Sequence, residues 1–163
     1  MKIGVIADTH IPVSAKKLPP QVYENFKGCD LIIHAGDLVS LSVLTELEKI
    51  AETKAVRGNM DGHEVREKLP EKLFFEFAGK KIGVMHGRGP AMKVWQIVRE
   101  AFGKKADIII FGHSHNPRNE RKGGVLLFNP GSPTDTVFSP YRSIGIIEIE
   151  GDDIRSEIIK IDG

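Results

Sequence analysis

Two imidazoles stand one serine apart in "FGHSHNP", residues 111–117, where His113 and His115 follow the apolar run Asp107-Ile108-Ile109-Ile110. Such a pair makes a metal site only if the rest of the chain supplies partners. Four other stretches do: "ADTH" brings Asp8 and His10, "HAGD" brings Asp37, "RGNMD" brings Asn59 and Asp61, and "VMHG" brings His86. Each follows a short apolar run, and glycines at 36, 58, 87 and 112 flank them, as expected where a backbone turns tightly beside a site. Asp8, His10, Asp37, Asn59, His86, His113 and His115 offer carboxylate, amide and imidazole donors, a set suited to manganese, iron, zinc or nickel and unsuited to thiolate-selected metals. Seven side chains are too many for one ion, since a tetrahedral zinc takes about four ligands. With one carboxylate shared they furnish two ions of four protein ligands each, and Asp37 stands centrally enough in the set to be the shared one. Two ions about 3.5–4 Å apart hold a bridging hydroxide and clamp a phosphoryl group for in-line displacement.

The elements that must position these donors are legible in the hydrophobic pattern. "KIGVIAD", "DLIIHAGD" and "KAVRGNMD" are branched, apolar runs that end in polar residues. Between the first two, Pro19-Pro20 opens a helix that Gly28 closes. Between the second and third, Ser40 or Ser42 caps a helix with Leu41, Leu44, Leu47 and Ile50 at helical spacing. The first sixty residues thus read as βαβαβ with parallel strands. The second half changes style. "KLFFEFAGKKIGVMHG" and "RSIGIIEIEGDDIRSEIIKI" are alternating runs around turns, the pattern of antiparallel hairpins, while "ADIIIF" and "GGVLLF" are strands and "AMKVWQIVREAF" is a helix with Val94, Trp95, Val98 and Phe102 on one face. This succession predicts an α/β fold of two sheets packed face to face with helices outside, the ligands gathered beyond the strands' C-terminal ends.

Composition narrows the function classes. A chain of 163 residues suits one domain, residues 1–163, with one core. Its 23 basic and 22 acidic residues are interspersed, so no long-range field draws in nucleic acid or an anionic membrane, and any phosphate chemistry is local. No apolar stretch approaches a membrane span, and "MKIGVIAD" reaches an acidic residue without the layout of a signal peptide. The lone cysteine, Cys29, rules out an intramolecular disulfide framework and is expected to be an inert, partly buried thiol. A cytoplasmic location is the expectation.

In order along the chain, "DTH", "GD", "GNMD", "HG" and "GHSH" follow the succession D-x-H, G-D, G-N-x-D, H-G and G-H-x-H. That succession resembles the calcineurin-like metallophosphoesterases, and "NPGS" at 129–132 extends the likeness to their small bacterial and archaeal phosphodiesterase branch. The resemblance implies a four-layer αββα sandwich of two mixed sheets and hydrolysis of phosphodiesters by a bridging hydroxide at a two-metal centre. It assigns one ion to Asp8, His10, Asp37 and His115 and the other to Asp37, Asn59, His86 and His113. Manganese is the first expectation, with nickel, zinc or iron as alternatives. Catalytic duty falls to Asp37, Asn59, Asp61 and His86, and substrate contacts to Asn59 and Arg88. A homo-oligomer, dimer or tetramer, is implied as well. "DTHIPVSAKKLP" also resembles the retromer's metallophosphoesterase-like subunit, whose main role is docking other proteins; against a scaffold role, every ligand position here retains a competent donor.

One departure has chemical weight. Where many relatives carry a histidine that protonates the leaving oxygen, Met60 stands, and a thioether donates no proton. General acid catalysis is commonly worth about 10²–10⁴-fold, so the expected enzyme is slow and favours leaving groups already stable as anions. His63 reads as a surface residue and His34, inside "LIIHAG", as a satisfied core histidine. Asp61 reads as an acceptor that orients Asn59 or a histidine ligand. Asn129 and Ser132 shape the "NPGS" loop, Trp95 is packing, and loops 11–20, 62–70 and 133–142 set specificity.

Overall fold

The computed structural model describes residues 1–161. Lys2–Ile6 forms β1, buried at four of its five positions as in a strand covered on both faces. Pro20–Phe26 forms α1, with a proline in its first turn, and Gly28 follows at φ +84°. Leu31–His34 (β2), Ser42–Glu48 (α2) and Thr53–Ala55 (β3) complete the βαβαβ unit, with the Ser40 hydroxyl accepting the Ser42 amide at 3.2 Å ahead of α2. Both junctions are parallel, Ile3 lying opposite Leu31 and Ile32 opposite Thr53.

His63–Lys68 forms a short helix, α3, inside the segment expected to be a loop. Only Val65 of its six residues is buried, so one turn and a half of helix left no periodic apolar signature. The hairpin of Lys72–Phe77 (β4) and Lys80–Met85 (β5) follows, then Val94–Phe102 (α4) and Ile108–Ile110 (β6). Arg118–Lys122 (β7) is a strand the pattern did not announce, because "RNERK" carries no apolar residue and its pairing with Val125–Asn129 (β8) is that of a sheet edge. Arg142–Glu150 (β9) and Asp153–Ile161 (β10) form the last hairpin.

The strands assemble into two mixed five-stranded sheets, ordered β10-β9-β1-β2-β3 and β4-β5-β6-β8-β7. Ile3, Val5, Leu31 and Ile33 of the first meet Ile82, Val84, Ile108, Ile110, Leu126 and Phe128 of the second in the central core. Outside the first sheet, Val22, Phe26, Val43, Leu47 and Val65 bring α1, α2 and α3 onto Ile6, Ile32 and Ile144. Outside the second, Val94, Val98 and Phe102 bring α4 onto Met85, Ile109 and Leu127. The result is the four-layer αββα sandwich. Trp95 packs half-buried at the edge of this last cluster, with the Arg118 guanidinium and Lys122 ammonium 5.0 and 4.7 Å from its ring centroid. Cys29 is buried in the α1 face, and burial pushes its thiol up to about 11, which keeps it protonated and inert.

Candidate metal centre

Each sheet contains three neighbouring parallel strands, β1-β2-β3 and β5-β6-β8. All seven donors lie just past the C-terminal ends of five of these: Asp8 and His10 after β1, Asp37 after β2, Asn59 after β3, His86 after β5, and His113 and His115 after β6. Backbone bonds fix these exits to one another. The Asp8 amide donates to the Gly36 carbonyl at 3.0 Å, the His10 amide to the Asp37 carbonyl at 3.0 Å, and the Gly112 amide to the His86 carbonyl at 3.1 Å. Five of the donors, Asp8, His10, Asp37, His113 and His115, have left-handed backbone with φ between 44° and 71°, which is unfavourable for residues with a Cβ. Strain concentrated in this way marks a functional site.

The side chains converge. Asp8 Oδ1 lies 3.4 Å from His115 Nε2 and 3.7 Å from both His10 Nε2 and His86 Nε2. Asp37 Oδ2 lies 3.1 Å from His86 Nε2 and 3.5 Å from His10 Nε2, so this carboxylate spans both halves of the donor set. Asn59 Oδ1 lies 3.0 Å from His86 Nε2 and 3.2 Å from His113 Nδ1. The ligand atoms of Asp8, His10 and His115, and those of Asp8, Asp37 and His86, fall within 4.8 Å of one another in two groups able to hold an ion.

Three imidazoles reveal which nitrogen faces inward. His86 Nδ1–H donates to the Ala35 carbonyl at 2.8 Å, His113 Nε2–H to the Gly89 carbonyl at 2.9 Å, and His115 Nδ1–H to Asp135 Oδ2 at 2.6 Å. In the neutral imidazole each outward proton leaves the opposite nitrogen as a lone pair directed at a carboxylate or amide oxygen, and such acceptors at 3.0–3.4 Å repel unless a proton or a metal cation stands between them. Asp8 Oδ1 and His10 Nε2 are buried without any hydrogen-bond partner, a costly state that metal ligation removes. The residues therefore fit divalent ions.

Without metal, protons take up part of this charge. Burial alone would lower the His86 imidazole, but the Asp8 charge and then Asp37 outweigh it and carry it up to about 9. Burial likewise opposes charge on His115, and Asp8 and Asp135 lift it to about 9. The reverse holds for Asp8: burial would raise its carboxyl, yet His86, His10 and His115 hold it well below the usual carboxylate range.

The model of the calcineurin-like phosphoesterase superfamily domain matches residues 1–152. This chain belongs to that family. A probable metallophosphoesterase of Methanothermobacter thermautotrophicus is 39% identical over 98% of this phosphoesterase and 92% of its own length. A phosphodiesterase of Methanocaldococcus jannaschii is 27% identical over 98% and 100%. Among solved structures, Entamoeba histolytica Vps29 complexed with zinc shares the fold at a TM-score of 0.76 and 23% identity, over 98% of this chain and 99% of that one.

Other residues of the phosphoesterase take places the sequence only partly foretold. Asp61 is buried, but it orients neither Asn59 nor a histidine. Its carboxylate accepts the amides of Asp37 at 3.0 Å, Gly58 at 2.8 Å and Val39 at 2.7 Å, tying the β3 exit to the β2 exit. Arg88 is exposed and lies outside the cleft of about 620 Å³ that His10, Asp37, Asn59, His113 and His115 line; it lines an adjoining groove with Asn59 and His86. His63 is a surface residue, 2.9 Å from Glu67 one helical turn on. His34 is fully buried; burial drives its pKa down to about 3, its Nδ1 accepts the Gly36 amide, and its Nε2–H faces the Thr9 hydroxyl. Asn129 reaches the Gly112 carbonyl at 3.1 Å and Ser132 the Asp8 carbonyl at 2.8 Å, which cross-brace the loops that carry ligands. Sequence reading missed Asp135. Buried in the 133–142 loop, it grips His115 and also accepts the amides of Val137, Phe138 and Ser139.

Proposed function

We propose that this phosphoesterase hydrolyses phosphodiesters at a two-metal centre held by Asp8, His10, Asp37 and His115 on one side and Asp37, Asn59, His86 and His113 on the other. The observation that supports this best is the convergence of four imidazoles, two buried carboxylates and the Asn59 amide oxygen, with Asp8 Oδ1 and His10 Nε2 left buried without a hydrogen-bond partner. When bound, two divalent ions, manganese first and nickel, zinc or iron as alternatives, supply charge for the phosphoryl oxygens and a hydroxide nucleophile between them. Two carboxylates among seven donors leave that centre net positive and attractive to a phosphate ester. Asn59, exposed at the floor of the cleft, contacts the bound phosphoryl group, while Asp61 acts through Asp37 as a positioning residue. In the reaction the nucleophile's oxygen bonds to phosphorus and an ester P–O bond breaks. Met60, which is 58% exposed and lines the cleft, offers the departing oxygen no proton, so aryloxide leaving groups are favoured over alkoxides. Diester preference accords with the name of the Methanocaldococcus relative.

The test is hydrolysis of bis(p-nitrophenyl) phosphate by protein loaded with manganese, nickel or zinc, beside metal analysis and the Asp37→Asn variant. Expected are two ions per chain, turnover abolished by chelator, and a loss of at least about 10²-fold in Asp37→Asn. A blank assay with all three metals, together with a protein partner that co-purifies, overturns the enzyme in favour of a docking scaffold.

A further inference from the structure

Two clefts adjoin the metal centre, and Asn59 lines both. The larger is lined, beside the histidines, by the apolar side chains of Met60, Val137 and Phe138, exposed by 58, 77 and 78%. A thioether and an aromatic ring at the rim of a polar site form a surface on which a flat aromatic group stacks. The smaller groove, of about 300 Å³, is different in kind. Arg57, Arg66 and Arg88 line it together with Asn59 and His86, and its only carboxylate, Glu71, forms no ion pair with any of them among the described residues. Three guanidinium groups against one carboxylate concentrate positive charge in a chain whose net charge is +1.

Two of the three are held in place by the backbone. Arg57 Nη1–H donates to the Leu69 carbonyl at 3.0 Å and Arg66 Nε–H to the Asp61 carbonyl at 2.9 Å, which leaves their other N–H donors without a partner among the described residues. Arg88 has no hydrogen bond or ion pair among the described residues, so it has no structural task to explain it. Its backbone is nevertheless fixed to the metal centre. The Gly89 carbonyl receives the His113 Nε2–H, and Gly87 packs so closely on α4 that a Cβ there would fall 2.5 Å from a Val94 methyl carbon. A guanidinium with idle donors, on a loop locked to a ligand histidine and beside two anchored guanidiniums, is a receptor for an anion.

We propose that Arg57, Arg66 and Arg88 form an anion subsite, and that the substrate is a phosphodiester with an aromatic base in the Met60–Phe138 cleft and a further phosphate in the arginine groove. The assignment of the substrate rests on the phosphodiesterase reading above. A short oligonucleotide with a terminal phosphate and a nucleotide anhydride share this chemistry.

The experiment compares a deoxyadenosine dinucleotide with its 5′-phosphorylated form and with ADP-ribose, using the manganese-loaded protein. Charged hydrogen bonds of this kind give the phosphorylated dinucleotide, or ADP-ribose if the anhydride is the true source, a kcat/KM about tenfold above the unphosphorylated dinucleotide. Arg88→Ala removes that advantage. Equal kcat/KM on the two dinucleotides, with any advantage of ADP-ribose, whose phosphate leaving group is already favoured, unchanged in Arg88→Ala and bis(p-nitrophenyl) phosphate still hydrolysed, overturns the subsite and leaves the phosphodiesterase standing. If no ester is turned over, the phosphodiesterase reading fails instead, and calorimetry judges the subsite on its own: about tenfold tighter binding of the phosphorylated dinucleotide, lost in Arg88→Ala, upholds it, and equal affinities overturn it.

Discussion

Beside Asp37, at Gly58, a methyl group has no room: a Cβ there falls 2.1 Å from Asp37 Oδ1 and 2.6 Å from the Asp37 amide nitrogen. Gly58→Ala must therefore displace the carboxylate that faces both His10 and His86. The expected result is metal binding weakened at least about tenfold, read by metal content after dialysis, with a well-folded chelated protein. An alanine variant that keeps its metal would show that Asp37 is not held where ligation needs it. Asp135 acts one step further out. With its carboxylate on the His115 Nδ1–H, Asp135→Asn is expected to weaken metal binding by about 10–100-fold in a manganese titration, and an unchanged affinity would remove Asp135 from any part in presenting His115. The seven candidate donors could be read from the chain because each comes soon after an apolar run, and Asp37, Asn59, His86 and His113 stand directly beside a glycine. Asp135 could not be, since its partnership with His115 spans twenty residues and forms only when the 133–142 loop folds over the β6 exit. The left-handed backbone of Asp8, His10, Asp37, His113 and His115 was equally hidden, because it is imposed by hydrogen bonds between strand exits rather than by local residue type.

At the scale of elements, α1 secures the strand that launches the first two donors. The Phe26 ring is fully buried and lies over Gly4 of β1, where a Cβ would sit 2.8 Å from the ring. Phe26→Ala opens a cavity between α1 and the sheet and is expected to cost about 3–5 kcal/mol in chemical denaturation. A loss below about 1 kcal/mol would mean that α1 collapses onto the gap and that β1 does not depend on it. The elements visible in the sequence were those whose own apolar residues declare a period: the uniform runs of β1, β2 and β6, covered on both faces, the alternation of β4 and β10, and the stripe of α4. The two that escaped, α3 and β7, contribute one buried side chain and none respectively, so their structure comes from neighbours: β8 for β7, and for α3 the packing of Val65.

Across the whole molecule, the candidate metal centre is where charged groups of the two sheets meet, and this couples stability to pH and metal together. Asp8 and Asp37 hang from the first sheet, His86, His113 and His115 from the second, and Asp135 from the loop between β8 and β9, so the carboxylates of one sheet face the imidazoles of the other. In the metal-free protein His86 and His115 have pKa values raised from the ordinary 6.5 to about 9, so their protonated forms help hold the sheets together. A raised value contributes stability that is fully present below about 6.5 and is lost as pH climbs through about 9. Metal binding has the opposite dependence, because both imidazoles must shed their protons before they can ligate. Between pH 6.5 and 9, then, the melting temperature of chelated protein is expected to fall, while the rise in melting temperature on adding manganese grows. Thermal scans at pH 6, 7.5 and 9, with chelator and with manganese, measure both trends. A manganese-induced shift that stays constant over this range would mean that His86 and His115 do not exchange protons for metal, and the two sheets would then have to be joined at this edge by something other than charge.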